Sequence, residues 1–141
     1  MKKLISIMTL FFLAGTALSE EYAVVVHPSN ADANVKDAFL LSAETWSNGK
    51  KVEPYEIQEA GDLKKLLVKK AFLKEVLGMS ISDYNKHWAD RKASGKTTKP
   101  APTSEFSGIK RFVSKKEEAI GYIPKSDADG SVKVVKTFNV N

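Results

Sequence analysis

Hydrophobic and polar positions along the chain alternate between short β-branched runs and longer helical stripes, the order expected of an α/β domain. Residues 22–27 (YAVVVH) form a continuous apolar run closed by Pro28, the pattern of a strand buried on both faces. Asn34 can cap a short helix in which Val35, Ala38, Phe39 and Ser42 recur at helical spacing. Residues 52–57 follow a turn at Ser47, Asn48 and Gly49 and predict a second strand, which Pro54 places at an edge or a bulge. The longest stripe starts at Asp62, a plausible N-cap: Leu63, Leu66, Leu67, Ala71, Phe72, Val76 and Leu77 face the core, four lysines face outward, and Gly78 stops the helix. A membrane-surface helix is the weaker reading of this basic amphipathic stripe, because a core-facing helix needs the same pattern. Ser80 and Asp83 have capping-box spacing before another helix, whose Ile81, Tyr84, Trp88 and Arg91 share one face.

Residues 96–103 (KTTKPAPT) read as a loop, since their two prolines work against regular pairing. Ser104 then caps a short helix with Phe106, Ile109, Phe112 and Val113 on its inner side. Residues 119–123 predict a strand in which Gly121 admits a close neighbour. After a turn over residues 127–130, Val132, Val134, Phe138 and Val140 alternate with polar residues and describe a half-exposed last strand. No internal repeat appears, and no linker is long enough to separate a pair of domains. The expectation is a leader over residues 1–19 and one domain over residues 20–141.

The start of the chain changes the picture of where it works. Lys2 and Lys3, the apolar run over residues 4–15 and the small residues Ala17 and Ser19 have the order of a secretory signal with its cleavage site. The apolar run is shorter than the roughly 20 residues a spanning helix needs. The sequence therefore predicts an exported, soluble protein of the periplasm, without membrane insertion after cleavage. With no cysteine, neither disulfides nor a lipoprotein anchor can form, and the fold must rest on packing.

Of the 22 basic residues, Lys2 and Lys3 belong to the leader, so the remainder carries 20 basic against 17 acidic groups. That mild excess, with doublets such as Lys64 and Lys65, describes solvated helix faces and not a nucleic-acid surface. It remains compatible with attraction of small anions. His27 and His87 stand far apart with no cysteine to complete a zinc site. No nucleophile elbow or phosphate-cradling glycine loop is present, so neither an enzyme nor a metal or cofactor is expected. Asp127, Asp129 and Gly130 resemble the opening of a calcium loop, but a turn into the last strand explains them better.

Several blocks taken together resemble a known family. The stretch VVVHPSN ending at Asn30, the block Trp46, Ser47, Asn48, Gly49, Lys50 (with Phe39 upstream), residues 72–78 (FLKEVLG), Trp88 ahead of Gly95 and Lys96, and residues 118–126 (EAIGYIPKS) occur in the order seen in the phosphate-binding proteins of ABC transporters. The resemblance is to one lobe of such proteins, and especially to short single-lobe relatives. It implies an α/β fold, a single lobe of the type II periplasmic-binding-protein kind with a central mixed sheet flanked by helices. In that fold Trp46 and Trp88 would pack the lobe and Gly121 would fit the strand near the hinge.

The resemblance also implies a function, binding of phosphate or another small oxyanion, with an ABC permease or another envelope protein as partner. At the position where full-length members carry an arginine and a Ser-Gly-Thr triplet, this chain reads Gln58, Glu59, Ala60, Gly61, Asp62. What remains is a strand-to-helix turn containing Gly61 and the free amides of Leu63 and Lys64. Ser29 and Asn30 offer further donors after the first strand. Ser29, Asn30, Gln58, Gly61, Leu63 and Lys64 are thus the candidate ligand contacts. A single lobe presents an open shelf, so a second copy of the chain, as a homodimer, is one way to enclose a ligand. The alternative is an interaction or structural module that has kept the lobe and lost the ligand.

Overall fold

The structure, a computed structural model, describes residues 19–30 and 34–141, so the expected leader lies outside the described residues apart from Ser19. The strands are β1 (Glu20–Val26), β2 (Glu53–Ile57), β3 (Ala101–Thr103), β4 (Ala119–Pro124) and β5 (Lys133–Val140). They form one sheet in the order β3-β2-β4-β1-β5. β1 is antiparallel to both β4 and β5, whereas β2 is parallel to β3 and β4. Four strands therefore point one way and β1 alone points back. The carboxyl ends of β2, β3 and β4 share one edge of the sheet with the amino end of β1.

The helices are α1 (Val35–Phe39), α2 (Leu63–Phe72), α3 (Ile81–Ala93) and α4 (Phe106–Lys115), and α2 continues through a π turn over Leu73–Leu77. Local chemistry sets their ends as the sequence predicts. Side chains of Asn34, Asp62 and Ser80 accept from the amides of Asp37, Lys65 and Asp83, and Gly78 closes the π turn at φ 69°.

Side-chain alternation assigns the layers, because Gly121 and Tyr122 must face opposite sides of β4. On one side the Tyr122 ring stacks 4.2 Å from Phe72 and contacts Phe39 and Phe138. On the other, α4 crosses so closely that a Cβ on Gly121 would overlap Ile109 Cγ2. The core thus lies in two layers around β1 and β4, whose residues 22–26 and 119–123 are all buried. Trp46 is buried beside the sheet and its indole N–H donates to the Glu118 carbonyl at 3.0 Å. The central mixed sheet flanked by helices is the architecture the sequence implies.

Several local expectations change. Residues 101–103 form β3 instead of continuing the loop. Gln58 N donates to Thr103 O, so Ala101 and Thr103 face β2, and Pro102, lacking an N–H, faces the open edge. Pro54 lies in β2, inside the sheet. Because Glu53 N donates to Glu118 O on the β4 side, the nitrogen of Pro54 faces the β3 side, one residue before that pairing begins at Tyr55. The last strand has an extra residue: Val24 pairs with Lys136 but Val25 with Val134, so a bulge at Val135 breaks the alternation and exposes Val134.

The largest change concerns α2. Val68 and Phe72 form its buried face, while Leu63 is 68% and Leu67 41% exposed. Lys65 and Lys69, expected outward, are turned in, with side chains only 20% and 13% exposed. The helix has rotated toward acceptors on its neighbours. Ser104 does not cap α4 either; the N-cap is Glu105, without a side-chain cap bond, and the Ser104 carbonyl receives Lys65 Nζ.

Candidate functional site

Two helices begin where the parallel strands end. Gln58 extends the β2–β3 pairing, after which Asp62 N bonds Glu59 O at 2.7 Å to close a tight turn. Ala60 and Gly61 take left-handed φ values of 40° and 85°, a conformation costly for the alanine. α2 starts at once, with Asp62 Oδ1 capping Lys65 N at 3.1 Å and Asp62 O taking Leu66 N at 3.0 Å. The amides of Leu63 and Lys64 precede the first helical bond and need outside partners. β3 likewise runs into α4, whose first turn packs so close that a Cβ on Gly108 would lie 3.0 Å from Thr103 Cγ2. Lys65 Nζ ties the two helix starts together, bonding Ser104 O at 2.7 Å and standing 3.5 Å from Glu105 Oε1. This edge is a shelf onto which two helix N-termini open, each carrying partial positive charge.

The side chains of the shelf carry the opposite sign. Lys69 lies 3.8 Å from Glu56 and 3.5 Å from Glu59, and Lys64 lies 3.2 Å from Glu20. The Tyr84 hydroxyl donates to Glu56 Oε2 at 2.8 Å. Burial pushes the Glu56 carboxyl above its ordinary range, against the opposing pull of Lys69 and the Tyr84 bond. The hydroxyls of Tyr84 and Tyr122 are both raised, first by burial and then by Glu56. Tyr122 also closes the sheet where β2 and β4 diverge, its hydroxyl accepting Ile57 N–H at 3.3 Å. Lys64, Lys65 and Lys69 are therefore each matched by a carboxylate, and on the α2 side of the shelf the backbone amides are the donors left over.

The six candidate contacts divide between opposite ends of the sheet. Gln58, Gly61, Leu63 and Lys64 belong to the shelf. Ser29 and Asn30 follow β1, the strand that runs backwards, and so stand at the far end beside Glu117, where β4 begins. Ser29 Oγ bonds His27 Nδ1 at 2.8 Å and Glu117 Oε1 at 3.3 Å; Glu117 also pairs with Lys50. Asn30 Nδ2 donates to Glu117 O at 3.5 Å and Asn30 O accepts Lys133 Nζ at 3.3 Å. These bonds fasten the chain after β1. No single small ligand can touch both groups.

Sequence reasoning missed the α4 side of the shelf. A groove of about 560 Å³ runs along β3 and the first turns of α4, lined by Tyr55, Ser104, Ser107 and Arg111. Arg111, in the second turn of α4, brings a guanidinium to this groove, although the loop after β2 contains none. The available signal was the approach to α4, where Ser104 before the helix and Ser107 and Arg111 within it recur near helical spacing directly after the proline-rich stretch. The Tyr84–Glu56–Lys69 network carried a fainter signal, a glutamate within a predicted strand.

The fold is that of one lobe of a type II periplasmic-binding-protein-like α/β protein. Solved structures that share it include three described in terms of phosphate transport or binding. A protein described as a phosphate ABC transporter substrate-binding protein, with bound phosphate, from Clostridium perfringens superposes with a TM-score of 0.59 at 20% identity, over 84% of this chain and 45% of its own. An ABC-type phosphate transport receptor from Vibrio cholerae gives 0.57 at 14% identity, over 84% and 46%. A possible phosphate binding protein from Planctomyces limnophilus gives 0.52 at 16%, over 84% and 41%. The chain thus spans less than half the length of each. By sequence, no protein family and no curated protein matches. Among the described residues no helix is long and apolar enough to cross a membrane.

Proposed function

We propose that this chain is a solute-binding lobe that takes a small oxyanion, phosphate in the first instance, on the shelf where β2 and β3 run into α2 and α4. The observation that supports it is the convergence of two helix N-termini at the carboxyl ends of parallel strands, in a fold shared with proteins described as binding phosphate. Gln58, Gly61 and the amides of Leu63 and Lys64 would meet the anion from one side, and Arg111 with Ser107 from the other. Ser29 and Asn30 hold the opposite end of the lobe and have no role in this reading. No reaction is assigned, because binding of this kind needs none.

The carboxylates of Glu59, Asp62 and Glu105 at the same edge oppose a dianion and set the affinity low. A second copy of the chain closing over the shelf would add donors and exclude water. Sedimentation velocity with and without phosphate checks that, with a phosphate-dependent dimer as the expected result. Export to the periplasm, free of a lipid anchor, follows from the leader pattern; the amino terminus of the exported protein should be found near Glu20. There it would meet an ABC permease or another envelope protein.

Thermal unfolding in rising phosphate tests the binding itself. A ligand at 100 times its dissociation constant adds about 2.7 kcal/mol to the folded state. The midpoint should climb with phosphate at low salt and less steeply at physiological salt. No climb with phosphate or sulfate would remove the proposal and leave a lobe kept for contact with a partner.

A further inference from the structure

A second group of cationic side chains gathers elsewhere, on the carboxyl half of α3. The chain reverses after Ala93: Lys96 N bonds Arg91 O at 2.9 Å and Gly95 takes φ 90°. The reversal folds residues 96–99 back beside the helix and encloses a cleft of about 440 Å³, lined by Trp88, Lys92, Lys96, Thr97, Thr98 and Lys99. That volume is in the range of small-molecule sites. The indole that lines it is held in place. The Tyr84 ring meets it edge-on at 5.7 Å and the His87 ring at 4.6 Å, while the Arg91 guanidinium lies 5.8 Å from its centre.

The charges around this indole are unbalanced. Lys96 reaches Glu44 at 2.9 Å, but Lys92 and Lys99 make no ion pair among the described residues, and the charge of Lys99 acts on Glu56 only at a distance. No carboxylate lines the cleft. A lysine in the last turn of a helix is ordinary complement to its dipole. Three lysines and two threonine hydroxyls lining one cleft with an indole form a different arrangement, which offers an apolar surface and cationic donors together.

We propose that this cleft binds a soluble phosphomonoester carried on a flat apolar body, the body resting against Trp88 and the phosphate held by Lys92, Lys99 and the Thr97 and Thr98 hydroxyls. The site is independent of the shelf. Inorganic phosphate carries no body for the indole and should favour the shelf.

Amide and indole NMR signals separate the two sites, because Trp46 and Trp88 are the only tryptophans. Titration with phenyl phosphate should shift the Trp88 indole signal and the amides of Thr97 and Thr98 saturably, leaving the Trp46 indole in place. Phenol should not reproduce the shifts. The exposed double substitution K92Q/K99Q should weaken phenyl phosphate by about tenfold or more, since two charge-assisted bonds are lost. Inorganic phosphate, titrated in parallel and followed at Leu63 and Lys64, tests the shelf separately. The cleft proposal is overturned if phenyl phosphate leaves Trp88, Thr97 and Thr98 unmoved. It is equally overturned if phenol or inorganic phosphate moves them as strongly, or if K92Q/K99Q binds unchanged. Capture by phosphatidic acid vesicles without a response to phenyl phosphate would assign the lysines to a lipid surface and likewise overturn it.

Discussion

The shelf at the ends of β2 and β3 and the cleft on α3 both gather lysines, yet they use them in opposite ways. On the shelf, Lys64, Lys65 and Lys69 each stand within 4 Å of a glutamate, and the donors that remain are backbone amides on the α2 side and Arg111 with Ser107 on the α4 side. In the cleft, Lys92 and Lys99 have no such neighbour among the described residues. A count of cations therefore says little about anion binding. What matters is which cations the fold leaves unmatched, because a paired ammonium must lose one partner to gain another, while backbone dipoles at a helix start have no competing partner except a cap. Fold similarity directs attention to the shelf, and charge directs it to the cleft.

The most severe test of their independence is Phe72→Ala. It removes the ring that holds α2 against Phe39, Tyr122 and Phe138, and should cost about 3–5 kcal/mol in denaturant unfolding. Below its lowered midpoint the variant should lose the phosphate response of the shelf and keep the phenyl phosphate response of the cleft, which rests on α3. Loss of both responses together would show that the two regions are not independent. Tyr122→Phe is milder: the ring stays but the buried Ile57 N–H loses its acceptor, a cost of about 1–3 kcal/mol. Faster amide exchange at Ile57 than at Thr98 would place the damage on the shelf side.

Asp62 isolates the role of charge. Asp62→Ala removes both cap and charge and should cost about 1 kcal/mol, whereas Asp62→Ser keeps a cap and should cost only a few tenths. Both remove a carboxylate facing the shelf, so stabilisation by phosphate should increase in Asp62→Ser; an unchanged increment would show that the anion does not approach α2.

The smallest effect expected is in the pH dependence of Glu56. Its folded-state affinity for a proton is raised by burial, so its contribution to stability is present at low pH and falls as pH rises through that raised value. Glu56→Gln should therefore be at least as stable as the parent near pH 8 and lose that advantage near about pH 3, below the ordinary glutamate range. Urea unfolding at both values checks the sign. A larger loss near pH 8 would mean that the bond to Tyr84 and the pairing with Lys69 outweigh burial.

Much of the fold was legible in the residues. Asn34, Asp62, Ser80 and Gly78 mark helix ends through contacts with neighbours three to five positions away, and the β-branched run of β1 announces a buried strand. Where the reading failed, a distant partner overruled a local preference. Pro102 did not prevent β3, because its nitrogen faces the open edge. Val134 did not turn inward, because the bulge at Val135 shifts the alternation. Lys65 and Lys69 did not face solvent, because Ser104, Glu56 and Glu59 wait on the elements against which α2 packs. Of the candidate site, the Gln58 to Lys64 turn was readable as a strand running into a capped helix, but Arg111 and the α4 start were not.

Alternation, caps and breakers are local, and they were enough to establish the helices, the principal strands and the α/β class of this protein from the residues alone. Everything that depends on which segments lie side by side was settled by tertiary packing. The reversed direction of β1 separates Ser29 and Asn30 from Gly61 by the length of the sheet. The turn of α2 about its own axis neutralises some lysines, and the reversal after α3 leaves others unmatched. Hydrogen bonds within one turn of helix can be read from spacing, whereas charge pairing between distant segments exists only once the sheet has brought them together.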